Sequence, residues 1–367
     1  MRLSFLTVVS CVALTAVLPA TAQSVSPKNP DAPPPAAPPQ SKTLPPRAAA
    51  DMQQVLDALA SLGARPIHTG TPTQVRAGPT PTDAVKAVMT ARGMSTVPGP
   101  EVNTAELQYG SNSGQKARIY RPAGAAARRR PLIIYYHGGG WVIADLDVYD
   151  AAPRLLSKEL DAVVVSVEYR HAPEFKFPAQ HDDAVNAYKW VLSNARSWGV
   201  DVNRMAFAGE SAGGNLAINT AIAAREARLP MPRAILSVYP IADSRMDLPS
   251  RKTNANAKPL STPDLAWFAH YYSGRPNDVK DPRINLVEAK LQGLPPVTIV
   301  SAQIDPLLSD GLNLTSALRR AGVPVMQRTY PGVTHEFFGM GGVVGGAAQA
   351  NAWAVEQLRP ALAVKRR

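Results

Sequence analysis

His137-Gly138-Gly139-Gly140-Trp141 and, about seventy residues further on, Gly209-Glu210-Ser211-Ala212-Gly213 decide how this chain reads. The second run has the Gly-x-Ser-x-Gly form, in which flanking glycines let a strand turn abruptly into a helix and leave a serine hydroxyl exposed above a sheet. Its surroundings meet that demand. Met205-Ala206-Phe207-Ala208-Gly209 reads as a short buried strand, and residues 212–225 have the small and apolar spacing of a helix packed on a sheet. The first run follows Pro131-Leu132-Ile133-Ile134-Tyr135-Tyr136, a β-branched and aromatic stretch that reads as a central strand. Its glycines bring backbone N–H groups close to whatever lies above them. With the N–H of Ala212 at a helix start, they can meet an oxygen that turns negative when a carbonyl is attacked. A phosphate cradle is the other use of such a loop, but neither Gly-x-Gly-x-x-Gly nor Walker spacing is present.

A serine hydroxyl is a poor nucleophile until a base takes its proton, so a histidine and a carboxylate are needed. The apolar residues 296–301 predict a strand, and Ala302-Gln303-Ile304-Asp305 places Asp305 at its carboxyl end. A second strand is predicted over residues 325–330, and Pro331-Gly332-Val333-Thr334-His335 places His335 on a loop at the same edge. The chain order Ser211, Asp305, His335 is that of α/β-hydrolases rather than of the chymotrypsin or subtilisin arrangements. Asp310 is the competing acid, but it opens the next predicted helix and reads as an N-cap. His68, His171, His181 and His270 read as structural or solvated, and His137 as a brace for the glycine loop.

On these residues the chain resembles the bacterial hormone-sensitive-lipase-like esterases. The resemblance runs from about residue 50 to the end of the chain. It is also carried by Tyr169-Arg170-His171-Ala172-Pro173-Glu174 after a strand over residues 163–167, by Phe177-Pro178-Ala179 with Asp182-Asp183, and by Asp305-Pro306-Leu307. It implies an α/β-hydrolase fold: an eight-stranded, mostly parallel sheet flanked by helices, with a small helical cap. It further implies a Ser211, Asp305 and His335 triad, an oxyanion hole from the N–H groups of Gly138, Gly139 and Ala212, and hydrolysis of short- to medium-chain carboxylic esters through an acyl-enzyme. Three departures stand out. Glu210 replaces the commoner aspartate, His171 the commoner leucine, and Glu336 the usual glycine after the histidine. Neighbouring side chains on a loop diverge, so Glu336 is expected to face water; turned toward His335 it would favour the imidazolium and raise its pKa.

No metal or organic cofactor is required by this chemistry, and the sequence shows no His, Cys or carboxylate cluster at ligand spacing. An amidase or peptidase using the same triad, or a hydrolase-fold binding protein without catalysis, are the other uses of these residues. Ser113-Gly114-Gln115-Lys116 matches the Ser-x-x-Lys of β-lactamase-type esterases, but in a turn-like stretch rather than at a helix start.

The 367 residues exceed a bare hydrolase core, and the excess lies mainly at the start. Residues 1–22 carry an early arginine, an apolar run and small residues at Ala20 and Ala22, the pattern of a secretory signal peptide, so export to periplasm or medium is expected. The single cysteine, Cys11, falls inside it, which leaves no disulfide after cleavage. Val8-Val9-Ser10-Cys11 only faintly matches a lipoprotein site, because the apolar stretch before it is too short. Residues 23–47, dense in proline and alanine, read as an extended linker, and no stable membrane span is expected in the mature chain.

Met52, Val55, Leu56, Leu59 and Leu62 recur at helical spacing and open an N-terminal cap segment, residues 48–100. The catalytic domain, 101–367, takes a second cap piece at about residues 241–285, where Leu265, Trp267, Phe268, Tyr271 and Tyr272 could line an acyl pocket or hold the cap down. Trp141, beside the oxyanion glycines, is the stronger pocket candidate. The net charge of +11 is scattered, and Arg128-Arg129-Arg130 and Lys365-Arg366-Arg367 are not interleaved with aromatics, so no nucleic-acid partner is expected; the partner that the resemblance implies is a small-molecule ester. The oligomeric state stays open, a homodimer included.

Overall fold

Alternation along the central strands sets the layers. The computed structural model describes residues 46–124 and 129–364, so the segments read as signal peptide and linker, Cys11, Arg128 and the basic C-terminus lie outside the described residues, apart from the linker's last two positions. The described residues form one compact unit.

Eight strands, β1 (Val102–Gln108), β2 (Lys116–Pro122), β3 (Arg130–Tyr136), β4 (Val163–Val167), β5 (Val200–Glu210), β6 (Ala234–Val238), β7 (Val297–Ile304) and β8 (Val325–Thr334), make one sheet. Their order is β1-β2-β4-β3-β5-β6-β7-β8. β1 and β2 pair antiparallel, as do β2 and β4. All pairings from β4 through β3 to β8 are parallel. Such strands are buried on both faces and read as continuous apolar runs, as Leu132-Ile133-Ile134 and Val163-Val164-Val165 do.

Ten helices complete the described chain: α1 (Ala50–Ser61), α2 (Pro72–Arg76), α3 (Pro81–Ala91), α4 (Ala151–Leu160), α5 (Ala179–Asn194), α6 (Ala212–Glu226), α7 (Pro249–Thr253), α8 (Thr262–Tyr272), α9 (Leu308–Arg320) and α10 (Gly345–Leu362). Leu132, Ile134 and Tyr136 point to the face covered by α5, α6 and α9, while Ile133 and Tyr135 point to the face covered by α4 and α10. α1 and α3 add Met52, Val55, Ala84 and Val88 to that second layer. None of the described helices is long and apolar enough to cross a membrane.

Two boundaries differ from expectation. β5 begins at Val200 rather than Met205. β8 runs on through Pro331 and Gly332 to Thr334, so His335 follows a strand directly. Pro331 is tolerated because β8 is the edge strand, where a missing N–H breaks no ladder, and Gly332 takes φ +68° where the pairing with β7 shifts register. Lys116 starts β2, so Ser113 and Lys116 do not share a helix turn.

Candidate active site

The parallel strands deliver the expected side chains to one edge of the sheet. Ser211 sits between β5 and α6 with φ 56° and ψ −117°, a conformation that stores of order 1–3 kcal/mol in a non-glycine residue. The turn is held by the Ser211 N–H donating to the Val238 carbonyl at 2.8 Å. Glycine is demanded on either side by close approach: a Cβ at Gly213 would lie 1.9 Å from the Tyr136 carbonyl oxygen, and one at Gly209 would lie 2.2 Å from that of Gly213. The Gly-x-Ser-x-Gly spacing is therefore a packing requirement.

Asp305 follows β7 and His335 follows β8. His335 Nε2 is 2.9 Å from Ser211 Oγ, and His335 Nδ1 is 2.7 Å from Asp305 Oδ2. The other carboxylate oxygen of Asp305 accepts the Leu307 N–H at 2.7 Å, which fixes its plane. With Nδ1 protonated toward Asp305, the Nε2 lone pair faces the Ser211 hydroxyl. All three residues are buried. Burial disfavours the His335 imidazolium, but the charge and hydrogen bond of Asp305, joined by Glu336 and Glu210, hold its pKa above the usual imidazole value. Above these groups, the N–H groups of Gly138, Gly139 and Ala212 donate to no backbone carbonyl among the described residues.

Glu336 corrects the expectation that it faces water. It adopts φ 69°, turns inward, accepts the Tyr149 hydroxyl proton at 2.6 Å, and lies 3.8 Å from His335 Nε2. Burial raises its pKa, against the pull of His335. Glu210 lies beneath, its two carboxylate oxygens accepting from the Tyr135 and Tyr239 hydroxyls. Burial pushes its pKa up to about 7, the tyrosine hydroxyls opposing. Two carboxylates and three tyrosines thus underlie the histidine, and Tyr149 and Tyr239 carried no signal in the sequence that marked them.

Asp310 is not an N-cap. It lies inside α9, fully buried, where it accepts the Ala242 and Asp243 N–H groups, each at 3.1 Å, and pairs with Arg251 at 2.9 Å. It anchors the start and the first helix of the insertion, with its pKa raised by burial to about 6.

A cavity of about 920 Å³ opens over Ser211 and His335. Gly139 and Gly140 form one side, Leu56 and Leu59 of α1 another, and Leu260, Leu265 and Phe268 of the insertion a third. Trp141 does not line it, contrary to expectation. Its ring is buried and stacked on Tyr272 at 4.2 Å between centroids, inside the packing beneath the loop. Tyr272 and Trp267 also serve packing, Trp267 Nε1 donating to the Gly70 carbonyl at 2.8 Å.

Arg76, unremarked in the sequence, ties the N-terminal segment to the glycine loop: its guanidinium donates to the carbonyls of Val142 at 2.8 Å and Ala172 at 2.6 Å and pairs with Glu174 at 2.7 Å.

The remaining histidines divide. His68 is bonded to Asp264 at 2.7 Å, His270 is exposed, and His181 is buried between Asn215 and Tyr272, its pKa lowered by burial to about 4. His137 donates from Nδ1 to the Gly138 carbonyl at 2.9 Å, bracing the loop from within. It also meets Glu168 and His171, and the three bring their ligand atoms within 4.8 Å of one another. The fold brings His137 to Glu168 and His171 from about thirty positions away, a grouping that local spacing does not reveal.

Known proteins similar to this chain in sequence and fold are α/β-hydrolases and esterases. A family described by the α/β hydrolase fold matches residues 133–339. An ethyl acetate hydrolase from Pseudomonas putida is 35% identical over 253 residues, 66% of this chain and 77% of that protein. A carboxylic ester hydrolase of Mycobacterium tuberculosis, LipN, is 36% identical over 273 residues, 72% of each. Among solved structures, a thermostable esterase from Pseudomonas putida superposes with a TM-score of 0.77 at 28% identity, covering 87% of this chain and 99% of that one. A hyperthermophilic esterase from Pyrobaculum calidifontis does so with a TM-score of 0.75 at 31% identity, covering 87% and 100%.

Proposed function

Because the chain belongs to the hormone-sensitive-lipase-like family of α/β-hydrolases and is a carboxylic ester hydrolase, we propose that Ser211, His335 and Asp305 are its catalytic triad and that its substrates are esters of short to medium acyl chains. The observation that carries the reading is the unbroken relay from Ser211 Oγ to His335 Nε2 at 2.9 Å and from His335 Nδ1 to Asp305 at 2.7 Å. His335 takes the hydroxyl proton as Ser211 attacks the ester carbonyl, and Asp305 holds the tautomer and stabilises the imidazolium. The alcohol leaves with that proton. Water, deprotonated in turn by His335, releases the acid from the acyl-serine.

The N–H groups of Gly138, Gly139 and Ala212 receive the negative oxygen of both tetrahedral intermediates, each donor contributing about 3 kcal/mol. The apolar wall of Leu56, Leu59, Leu260, Leu265 and Phe268 suits an aliphatic acyl chain.

The test is a series of p-nitrophenyl esters from acetate to palmitate, run beside the matched anilides and a fluorophosphonate label. Acetate to hexanoate esters are expected to turn over well, palmitate poorly, and anilides far more slowly than esters. Faster anilide hydrolysis, or no labelling by the fluorophosphonate, would overturn the reading.

The inward Glu336 adds a pH dependence. Its carboxylate helps raise the His335 pKa, so Glu336→Gln removes one charge that favours the imidazolium. The imidazole then stays neutral, and basic, further into acid. The acid limb of the kcat/KM profile is expected to move to lower pH; an unmoved limb counts against this role.

A further inference from the structure

The register of β3 on β4 sets Tyr136 beside Val167, so the residues that follow, His137 and Glu168, leave the sheet side by side. His137 Nε2 lies 3.2 Å from Glu168 Oε1, and His171 Nε2 lies 3.1 Å from the same oxygen. One carboxylate oxygen therefore faces two ring nitrogens. A doubly protonated His137 serves the Gly138 carbonyl and the Glu168 carboxylate together, whereas a neutral ring needs another cation at Nε2. His137 Nδ1 faces the Gly138 carbonyl, which only accepts, so its proton belongs on Nδ1 and the neutral ring turns the Nε2 lone pair toward the carboxylate. Lone pair against carboxylate is repulsive unless a proton or a metal ion lies between them. His171 Nε2 is itself buried and makes no hydrogen bond among the described residues.

We propose that His137, Glu168 and His171 form a binding site for a borderline first-row divalent cation, with Zn²⁺ the reference ion, at the root of the glycine loop. Two imidazoles and a carboxylate with a fourth position open suit Zn²⁺ or Co²⁺, whereas Mg²⁺ and Ca²⁺ favour all-oxygen sets. The outer contacts also have the form metal sites use: His137 gives its other N–H to a backbone carbonyl, and Glu168 accepts the Leu146 N–H on its second oxygen at 3.1 Å. Entry is from the cavity, whose wall includes His171. The site is separate from the Ser211 relay and stands whether or not the esterase reading does.

Chelator-stripped full-length protein should be titrated with Zn²⁺ by calorimetry and with Co²⁺ by visible absorption. A single ion per chain is expected, with the strong visible bands of Co²⁺ at low coordination number. His171→Leu is expected to weaken binding by at least about tenfold and to bleach those bands, while its metal-free circular dichroism and thermal midpoint match the parent. Glu168→Gln should also lose the bands, and His171→Leu decides if that variant does not fold. Zn²⁺ binding by His171→Leu as tight as by the parent, or a parent that binds no ion, would overturn the site.

Discussion

Replacing Ser211 with alanine is expected to lower kcat by about 10⁵- to 10⁶-fold, with KM changed little and the circular dichroism unchanged. The size of the loss follows from the covalent step. Without the hydroxyl there is no acyl-enzyme, and His335 has no proton to take. What survives is the stabilisation that the oxyanion amides give to slow attack by water, a residue of roughly 10³- to 10⁴-fold over solution. The alanine lacks the buried hydroxyl but meets the same strained φ of 56°, so a loss of fold stability is possible to detect separately by thermal denaturation. Turnover within about tenfold of the parent would remove Ser211 from the mechanism.

The second large effect separates two buried aspartates. Asp305→Asn is expected to cut kcat by about 10⁴-fold at neutral pH with the fold intact, because an amide in place of the carboxylate no longer holds the His335 proton on Nδ1 or offsets the imidazolium charge. Asp310→Asn should behave in the opposite way. Asp310 touches no reacting atom but pairs with Arg251 and receives two backbone N–H groups of the insertion. Neutralising it leaves a buried guanidinium without its counter-charge, which costs about 3–5 kcal/mol of stability. Parallel measurement of kcat at low temperature and of the denaturation midpoint tells the two apart. A collapse of kcat in folded Asp310→Asn would exchange their roles.

Much of this was legible in the linear chain, and the reason is local. A strand–turn–helix with glycines at fixed offsets is written within a dozen residues, so β5, Ser211 and α6 could be read from residues 205–225, as could β3 with its glycine loop. The places of Asp305 and His335 are legible because each follows a strand of the parallel sheet, where chain order is constrained. Side-chain direction was not legible. Trp141 was placed in the pocket by adjacency, yet its backbone at φ 63° turns the ring down onto Tyr272. Glu336 is expected in solvent because loop neighbours diverge, and goes inward because a left-handed residue reverses the chain toward Tyr149. The His137, Glu168 and His171 cluster depends on strand register, which single-sequence periodicity does not encode.

Arg76 joins the front wall of the cavity to the rim of the reaction centre. Its guanidinium holds the carbonyls of Val142 and Ala172 and the Glu174 carboxylate, while Asp264 and Trp267 fasten the same segment to α8 through His68 and Gly70. Swinging that wall aside would break several part-buried hydrogen bonds, each worth about 0.5–1.5 kcal/mol. That cost is expected to keep the segment in place while a ligand enters, so that the cavity is stiff on this side rather than hinged.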